Sequence, residues 1–363
     1  MDKNHKIYVA GHTGLVGSAL TRGLIRKGYK NLIHRDISEM DLRSQQEVNS
    51  YFEKEKPDHV LLAAAKVGGI YANNTYRADF IYDNLMIQNN IINAAYRNNV
   101  KKLLFLGSTC IYPREAPQPM HEDALLTSPL EYTNEPYAIA KIAGIKMCES
   151  YNIQHGTNFI PVMPTNLYGP GDNFNLLNSH VLPALLRKIH LAKCLEDNDT
   201  EALVKDFTLR PQPGYENINE KGMVVQALTD FGIKKEGGTV NVEIWGTGKP
   251  MREFLWIDDM ADACIFIMEN IDFKDVIKEK GLKEEIRNTH INIGTGIDIT
   301  IKDLAMSLRD VVGFNGELFF NSTKPDGTPR KLIDVSLIHQ LGWHHKTELV
   351  EGLQKLYKWY MAQ

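Results

Sequence analysis

No apolar run approaches the ~20 residues a transmembrane helix needs, so no membrane span is expected. The opening stretch, MDKNHKIYVAGHTG, passes from a short apolar run directly into a glycine-rich turn. It lacks the longer apolar core and small-residue cleavage site of a signal peptide. Cysteine is scarce: Cys110, Cys148, Cys194 and Cys264 lie far apart with no CxxC pair. Neither a disulfide frame nor a zinc site is signalled, no metal is expected, and a reducing cytoplasm is the expected setting. A net charge of −4 with no Lys/Arg cluster leaves no field to attract nucleic acid. Anionic ligands must therefore be held by local groups. Internal repeats and low-complexity tracts are also lacking.

What is present is an ordinary globular composition, 43% hydrophobic and 24% charged. A length of 363 residues is long for one core and suggests two lobes of unequal size. The first half alternates short apolar runs with helical patterns, the signature of parallel strands joined by crossover helices. Strands are expected at 6–10, 31–34, 59–63, 102–107 and 158–162, with helices starting near residues 14, 43, 76 and 135. A helix over 180–192 and a final amphipathic helix over 348–361 follow. The expected fold is α/β: a Rossmann-type doubly wound parallel sheet with a smaller α/β C-terminal substrate-binding lobe. Residues 1–170, with 255–292 returning, form the cofactor domain; 171–254 and 293–363 form the substrate lobe. The charged, turn-rich stretch at about 196–238 reads as an insertion within the second lobe, a surface elaboration without chemistry, with a substrate lid or an oligomer contact as the alternatives.

The strand IYVAG runs into Gly11-x-x-Gly14-x-x-Gly17 and then a helix. Glycines there permit a tight turn and let a pyrophosphate approach backbone N–H groups at a helix N-terminus. His12, Thr13, Leu15 and Val16 complete this cradle. Cofactor choice falls at the end of the second strand, where His34-Arg35-Asp36 offers both signs of charge. Arg35 can clamp a 2′-phosphate; Asp36 can pair with Arg35 and leave the site ambiguous. Asp41 and Leu42 are placed to meet the adenine. NADP, as NADPH, is the expected cofactor, with NAD the lesser candidate.

Tyr137 and Lys141 are four apart in a helical pattern and so share one face. A lysine ammonium within ~4–6 Å favours the phenolate and draws the phenol from its ordinary pKa of about 10 toward working range. Upstream, the apolar strand LLFLGSTCIYP brings Leu106, Gly107 and Ser108 to a strand's carboxyl end, where open α/β sheets bind ligands. Ser108 can donate to a carbonyl oxygen beside Tyr137. The cradle, Ser108 and the Tyr137–Lys141 pair in this order resemble the short-chain dehydrogenase/reductases.

Longer runs narrow the resemblance. AAAKVGGIYANNTYRADFIYDN, KLLFLGSTCIYP, NEPYAIAKIAGIKMCESYN, MPTNLYGPGDNFN, NSHVLPALLRKIH, GTGKPMREFLWIDDMADA and HINIGTG closely resemble the GDP-4-keto-6-deoxymannose epimerase/reductases, the GDP-L-fucose synthase family. The likeness covers nearly the whole chain apart from the insertion. It implies conversion of GDP-4-keto-6-deoxy-D-mannose to GDP-L-fucose, by epimerisation at C3 and C5 followed by NADPH-dependent reduction at C4. The resemblance matches Ser108, Tyr137 and Lys141 to the reductase triad, Cys110 to the epimerisation base and His180 to its acid. It places Ala63, Ala64, Ala65, Lys66, Pro164, Thr165, Asn166, Leu167 and His180 around the cofactor. Lys188, Trp245, Arg252, Asp326 and Lys331 match substrate-contact positions. It also implies a homodimer paired through long helices, here the stretch 79–98. Two departures stand out. Relatives carry arginines where this chain has Thr13 and Ile37, and shorter relatives lack the insertion. Rival readings are another nucleotide-sugar epimerase, reductase or dehydratase, and a dinucleotide-sensing module without turnover.

Overall fold

The computed structural model describes residues 1–216, 218 and 221–363. It forms two compact units, Met1–Gly169 with Glu253–Ile297 and Leu332–Thr347, and Pro170–Arg252 with Asp298–Lys331 and Glu348–Gln363.

The first unit opens with β1 (Ile7–Ala10), α1 (Leu15–Arg26), β2 (Leu32–Ile33), α2 (Gln45–Glu55), β3 (His59–Leu62), α3 (Ile70–Thr75) and α4 (Arg77–Arg97). β4 (Lys102–Leu106), α5 (Glu135–His155), β5 (Phe159–Pro164) and β6 (Asn166–Tyr168) follow. The chain then builds α6 (Val181–Glu196), α7 (Thr200–Leu209), α8 (Lys221–Asp230), β7 (Ile233–Glu236) and β8 (Thr239–Trp245) of the second unit. β9 (Met251–Trp256) carries it back into α9 (Ile257–Asn270), α10 (Phe273–Glu279) and β10 (Ile291–Ile293). After β11 (Asp298–Thr300), α11 (Ile301–Val312), β12 (Glu317–Asn321) and β13 (Arg330–Lys331) come α12 (Ser336–Gln340) in the first unit and α13 (Leu349–Met361) in the second.

Six strands of the first unit pair in parallel in the order β2-β1-β3-β4-β5-β10. β1, β3 and β4 are buried along their whole length, as continuous apolar runs covered on both faces must be. One face packs α1 and α9 through Leu20, Leu24, Met260 and Cys264; the other packs α2, α4 and α5 through Phe52, Ile91 and Ile145. Each such side chain contributes roughly 1.5–3 kcal/mol on burial. β2 and β3 lie on opposite sides of β1, so the strand order reverses there, and open sheets of this kind take ligands at that point.

The chain returns to the first unit over more residues than 255–292. Glu253, buried in β9, accepts the N–H groups of Thr295 (2.6 Å) and Gly296 (2.8 Å) through one oxygen and that of Ile333 (3.2 Å) through the other. Leu337, Ile338 and Trp343 join the core beside α9, and Asp259 accepts from the backbone of Lys346 and Thr347. Segments 293–297 and 332–347 belong here because their apolar side chains and backbone donors are satisfied here.

The 196–238 stretch has regular structure of its own. It folds as α7, capped by Asp199 accepting from Ala202 N (2.9 Å), then α8 and β7, and it buries Leu203, Phe207, Val224, Ala227 and Leu228. Residues 217, 219 and 220 of that stretch lie outside the described residues. β7 pairs antiparallel with β8, and β8 pairs parallel with β12.

Candidate active site

The glycine turn follows β1 at the reversal of strand order. Gly11 has φ +84°, and a Cβ there would lie 2.7 Å from Ala64 Cα and N, so this position tolerates only glycine. A Cβ at Gly17 would lie 2.0 Å from Gly11 O, which keeps the first turn of α1 tight on the loop. Gly14 differs. It caps α1 with an ordinary φ of −73°, is exposed, and a Cβ would meet nothing closer than Gly11 O at 3.5 Å. The fold itself does not demand glycine at 14. No side chain caps α1 and no acid stands in its first turn, so its N–H groups are available to an anion. Ala63, Ala64, Ala65 and Lys66 follow β3 on the other side; α4 clamps that loop through Asn84, which accepts from Lys66 N and donates to Lys66 O, both at 3.0 Å.

At the end of β2 the two charged candidates part. Arg35 donates to His34 O (2.8 Å), lies 3.7 Å from Glu55 and stacks over Tyr51 with its guanidinium 5.2 Å from the ring centre. Asp36 sits 3.6 Å from His12, whose ring stacks on His34 at 4.1 Å, so Asp36 pairs with a histidine and not with Arg35. Asp41 accepts from Arg43 through both oxygens, which holds its carboxyl below the ordinary carboxylate range; Leu42 O accepts from Asn90 (2.9 Å). The Lys66 ammonium donates to Asp83 (2.8 Å).

Ser108, Cys110, Tyr137 and Lys141 come together at the carboxyl end of β4. β4 ends at Leu106, and a short 3-10 turn, Thr109–Ile111, starts with the Ser108 side chain accepting from Cys110 N (3.4 Å). α5 crosses close above because residue 144 is glycine; a Cβ there would lie 2.4 Å from the Phe105 ring. Pro136 sits in the first turn of α5, Tyr137 follows it, and Lys141 comes one turn later. The Lys141 ammonium donates to Leu106 O (2.8 Å) and lies 5.7 Å from the Tyr137 ring centre. Burial lowers the Lys141 pKa to about 8, opposed by negative charge on Cys110. Burial also raises the Tyr137 pKa above its ordinary value, and charge on Cys110 pushes it further the same way. Lys141 therefore does not bring the phenol down toward neutrality here. Burial dominates at the phenol, and the Lys141 ammonium directs a proton at a backbone carbonyl.

The loop after β5 is fixed from behind. Thr165 N donates to Ile293 O (3.0 Å) and Asn166 donates to Glu253 O (2.8 Å), so Pro164, Thr165, Asn166 and Leu167 leave the sheet edge in one conformation. Glu253 was not visible as a site-shaping residue in the sequence, where MREFLW reads as an ordinary strand with one acid.

The second unit carries the other expected residues. His180 is the N-cap of α6 but makes no side-chain cap bond; desolvation by surrounding protein lowers its pKa. The Lys188 ammonium donates to Glu243 O, and burial lowers its pKa to about 8 while Glu243 opposes the shift. Arg252 and Lys331 are register partners on β9 and β13, which sets two cations side by side; burial lowers the Arg252 pKa. Trp245 is 61% exposed with Lys324 5.1 Å over its ring. Asp326 accepts from Thr247 N (2.8 Å) and Oγ1 (2.7 Å), so it fixes the turn after Trp245 with both oxygens.

Sequence reasoning missed a buried cluster in the same unit. Arg187 is fully buried and donates to Asp206 (2.8 Å), Phe174 O (3.0 Å) and Arg210 O (2.6 Å); Tyr360 also donates to Asp206. The one signal was an arginine inside the apolar run PALLRKIH.

Comparison with known proteins agrees with the α/β fold. Residues 7–208 and 213–294 match the model of the NAD dependent epimerase/dehydratase family. The chain is 50% identical over 360 residues to GDP-L-fucose synthase 1 of Arabidopsis thaliana, covering 99% of this chain and 94% of that protein. It is 48% identical over 357 residues to GDP-L-fucose synthase of Escherichia coli (strain K12), covering 98% and 96%. A solved structure of a GDP-D-glycero-L-gluco-heptose synthase from Campylobacter jejuni, in the presence of NADPH, is 48% identical, with a TM-score of 0.91 and 99% of both chains covered. On the matched model and these full-length identities, the chain belongs to the NAD dependent epimerase/dehydratase family.

Proposed function

We propose that the protein converts GDP-4-keto-6-deoxy-D-mannose to GDP-L-fucose, first inverting C3 and C5 and then reducing C4 with NADPH. The observation that carries this reading is Cys110. Reduction needs only the serine, phenol and ammonium, yet a thiol stands two residues from Ser108, close enough that its charge acts on both Tyr137 and Lys141. The first unit takes the dinucleotide and the second the nucleotide-sugar. The glycine turn fits a pyrophosphate, since its one exposed glycine is not required by the fold. Arg35 serves the 2′-phosphate, a better partner for its guanidinium than Glu55 at 3.7 Å. When bound, the reduced nicotinamide supplies the hydride.

The C4 ketone acidifies the hydrogens at C3 and C5. Cys110 takes the proton as the enolate forms, and His180 returns one to the opposite face, once at each carbon, with the thiol giving up its proton to solvent and the imidazole regaining one from it between the two inversions. Ser108 donates a hydrogen bond to the ketone oxygen. Tyr137 gives that oxygen its proton as C4 is reduced, a role suited to a phenol that holds its proton. Lys141 holds the nicotinamide ribose. Lys188, Arg252 and Lys331 meet the diphosphate, and Trp245 offers its face to a ring. The protein works in the cytoplasm as a homodimer joined through α4 and α5, whose exposed faces carry Tyr82, Ile139 and Ile153.

The test is turnover of GDP-4-keto-6-deoxy-D-mannose in D2O with NADPH or NADH. NADPH is expected to be oxidised faster, with deuterium at C3 and C5 of the product. Cys110→Ser is expected to keep dinucleotide binding and C4 reduction but to lose the deuterium. A reduced product of unmodified stereochemistry from the unaltered protein would refute the epimerase half. A second reading, a C4 reductase of a seven-carbon GDP-sugar, is favoured by a GDP-mannoheptose C4 reductase from Campylobacter jejuni at 47% identity and TM-score 0.87. It predicts higher kcat/KM on the GDP-4-keto-heptose than on the six-carbon substrate.

A further inference from the structure

The segment that delivers His180 is held by the insertion. His180 ends a loop in which the backbone folds around Asn175, whose Oδ1 accepts from Leu177 N and Asn178 N, both at 2.9 Å. The Ser179 hydroxyl closes the turn on Asn175 O. Two groups of this loop need partners from elsewhere, the N–H of Leu176 and the carbonyl of Phe174. Gln212 Oε1 accepts from Leu176 N at 3.0 Å, and Arg187 donates to Phe174 O at 3.0 Å.

Both partners depend on residues 196–238. Gln212 lies inside that stretch, is 1% exposed, and donates to Arg210 O (3.2 Å) and Pro211 O (3.0 Å). Its amide is thus satisfied at oxygen and nitrogen alike. Arg187 is oriented by Asp206 and by Arg210 O, again from the insertion. Arg187 lies on α6 itself, two helical turns after its N-cap His180. The insertion grips the loop just before His180 and the helix face just after it. Loss of the Gln212 contact leaves a backbone donor without a partner one residue from the Asn175 turn.

We infer that Gln212 is a positioning residue for the imidazole of His180 in the inversion chemistry. This rests on the reading of His180 as the acid in that chemistry. A proton donor must sit within hydrogen-bond reach of its carbon, and a displacement of ~1 Å costs on the order of 10²-fold in rate. Gln212 touches no reacting atom. It acts through the backbone of Leu176 and the turn that presents His180.

The test compares Gln212→Met, Gln212→Glu and His180→Asn, singly and with Gln212→Met added to His180→Asn. Substrate deuterium exchange in D2O is measured beside NADPH binding, thermal unfolding and reduction of a substrate already inverted at C3 and C5. Gln212→Met is expected to slow exchange ~10- to 100-fold while reduction stays within about threefold. A glutamic acid kept neutral by burial retains an acceptor for Leu176 and one donor, so Gln212→Glu is expected to exchange at least ~10-fold faster than Gln212→Met. In the His180→Asn background, Gln212→Met is expected to add no further loss of exchange. Wild-type exchange in Gln212→Met, equal loss of exchange and reduction, equal defects in the Met and Glu variants, or a full further loss in the His180→Asn background would each overturn the inference. Wild-type protein that incorporates no deuterium would remove the reading of His180, and this inference with it.

Discussion

Gly14→Ala and Gly17→Ala separate a turn built to fold from a turn built to bind. At Gly17 a methyl would sit 2.0 Å from Gly11 O, 2.6 Å from Gly11 C and 2.8 Å from His12 Cα, all backbone atoms that cannot rotate away. Overpacking of this kind costs about 1–3 kcal/mol or more. At roughly 2–4 °C per kcal/mol for a domain of 150–250 residues, the first unit should melt about 2–12 °C lower. At Gly14 the nearest atom is 3.5 Å away and φ is −73°, so alanine fits without strain. Glycine leads alanine modestly as an N-cap, and the expected loss is under about 1 kcal/mol. Binding should invert the order of damage. A methyl on this exposed residue occupies the space above the free N–H groups of α1, where a pyrophosphate must approach. Losing one charge-assisted hydrogen bond costs about 1.5–3 kcal/mol, or roughly 10- to 150-fold in Kd. The assay is NADPH titration by fluorescence, paired with thermal unfolding at saturating and zero NADPH. Ligand at about 100 times its Kd should stabilise the wild type by ~2.7 kcal/mol, and Gly14→Ala should lose about half of that shift or more while its unliganded melting point barely moves. A Gly14→Ala protein that binds NADPH with wild-type Kd would refute the assignment of this turn to the pyrophosphate.

Three further outcomes are expected. The Lys141 pKa is lowered to about 8, so the ammonium is present below that pH and lost above it. kcat/KM for NADPH oxidation should fall as pH rises through about 8, and Lys141→Arg should move that limb upward. Asp206→Ala strips the carboxylate from fully buried Arg187 and should destabilise the second unit by about 3–5 kcal/mol in denaturant unfolding; Arg187→Met in the same chain should recover much of it. Asp326→Ala frees the turn after Trp245 and should raise KM for the nucleotide-sugar severalfold while leaving NADPH affinity unchanged.

The sheet was legible because β1, β3 and β4 are buried on both faces and so appear as unbroken apolar runs. Helix starts near residues 14, 43, 76 and 135 were legible to within two residues, as α1, α2, α4 and α5 show. The helices of the insertion were not legible because charged residues and the turn RPQPG dominate its composition, while its core is carried by sparse positions such as Leu203 and Phe207, four apart on α7. Arg187, marked only by its place in the apolar run PALLRKIH, and Glu253 were missed for a different reason. Each is a charge buried against groups far away in the chain, Asp206 and Arg210 O for one, Thr295, Gly296 and Ile333 N–H for the other. Local pattern reads such residues as surface because their partners lie outside any local window. The contact of Arg35 with Tyr51 and Glu55, in place of Asp36, is likewise set by the side chains α2 presents.

One charge arrangement can serve both halves of the proposed reaction. Desolvation favours neutral Tyr137 and neutral Lys141, the phenol by holding its proton and the amine by losing one. Negative charge on Cys110 alters this balance in a single direction: it favours protonated Lys141 and disfavours ionised Tyr137. By reciprocity, a thiolate at Cys110 and an ammonium at Lys141 support each other. In the proposed reaction a thiolate base would thus have its counter-ion in place, while burial alone already holds the phenol in the acid form that C4 reduction requires. Lys141→Met should for this reason damage deuterium exchange as well as reduction, although the lysine touches neither epimerised carbon in the proposed mechanism. Loss of reduction alone in that variant, with exchange at the wild-type rate, would show that the thiol works independently of the pair beside it.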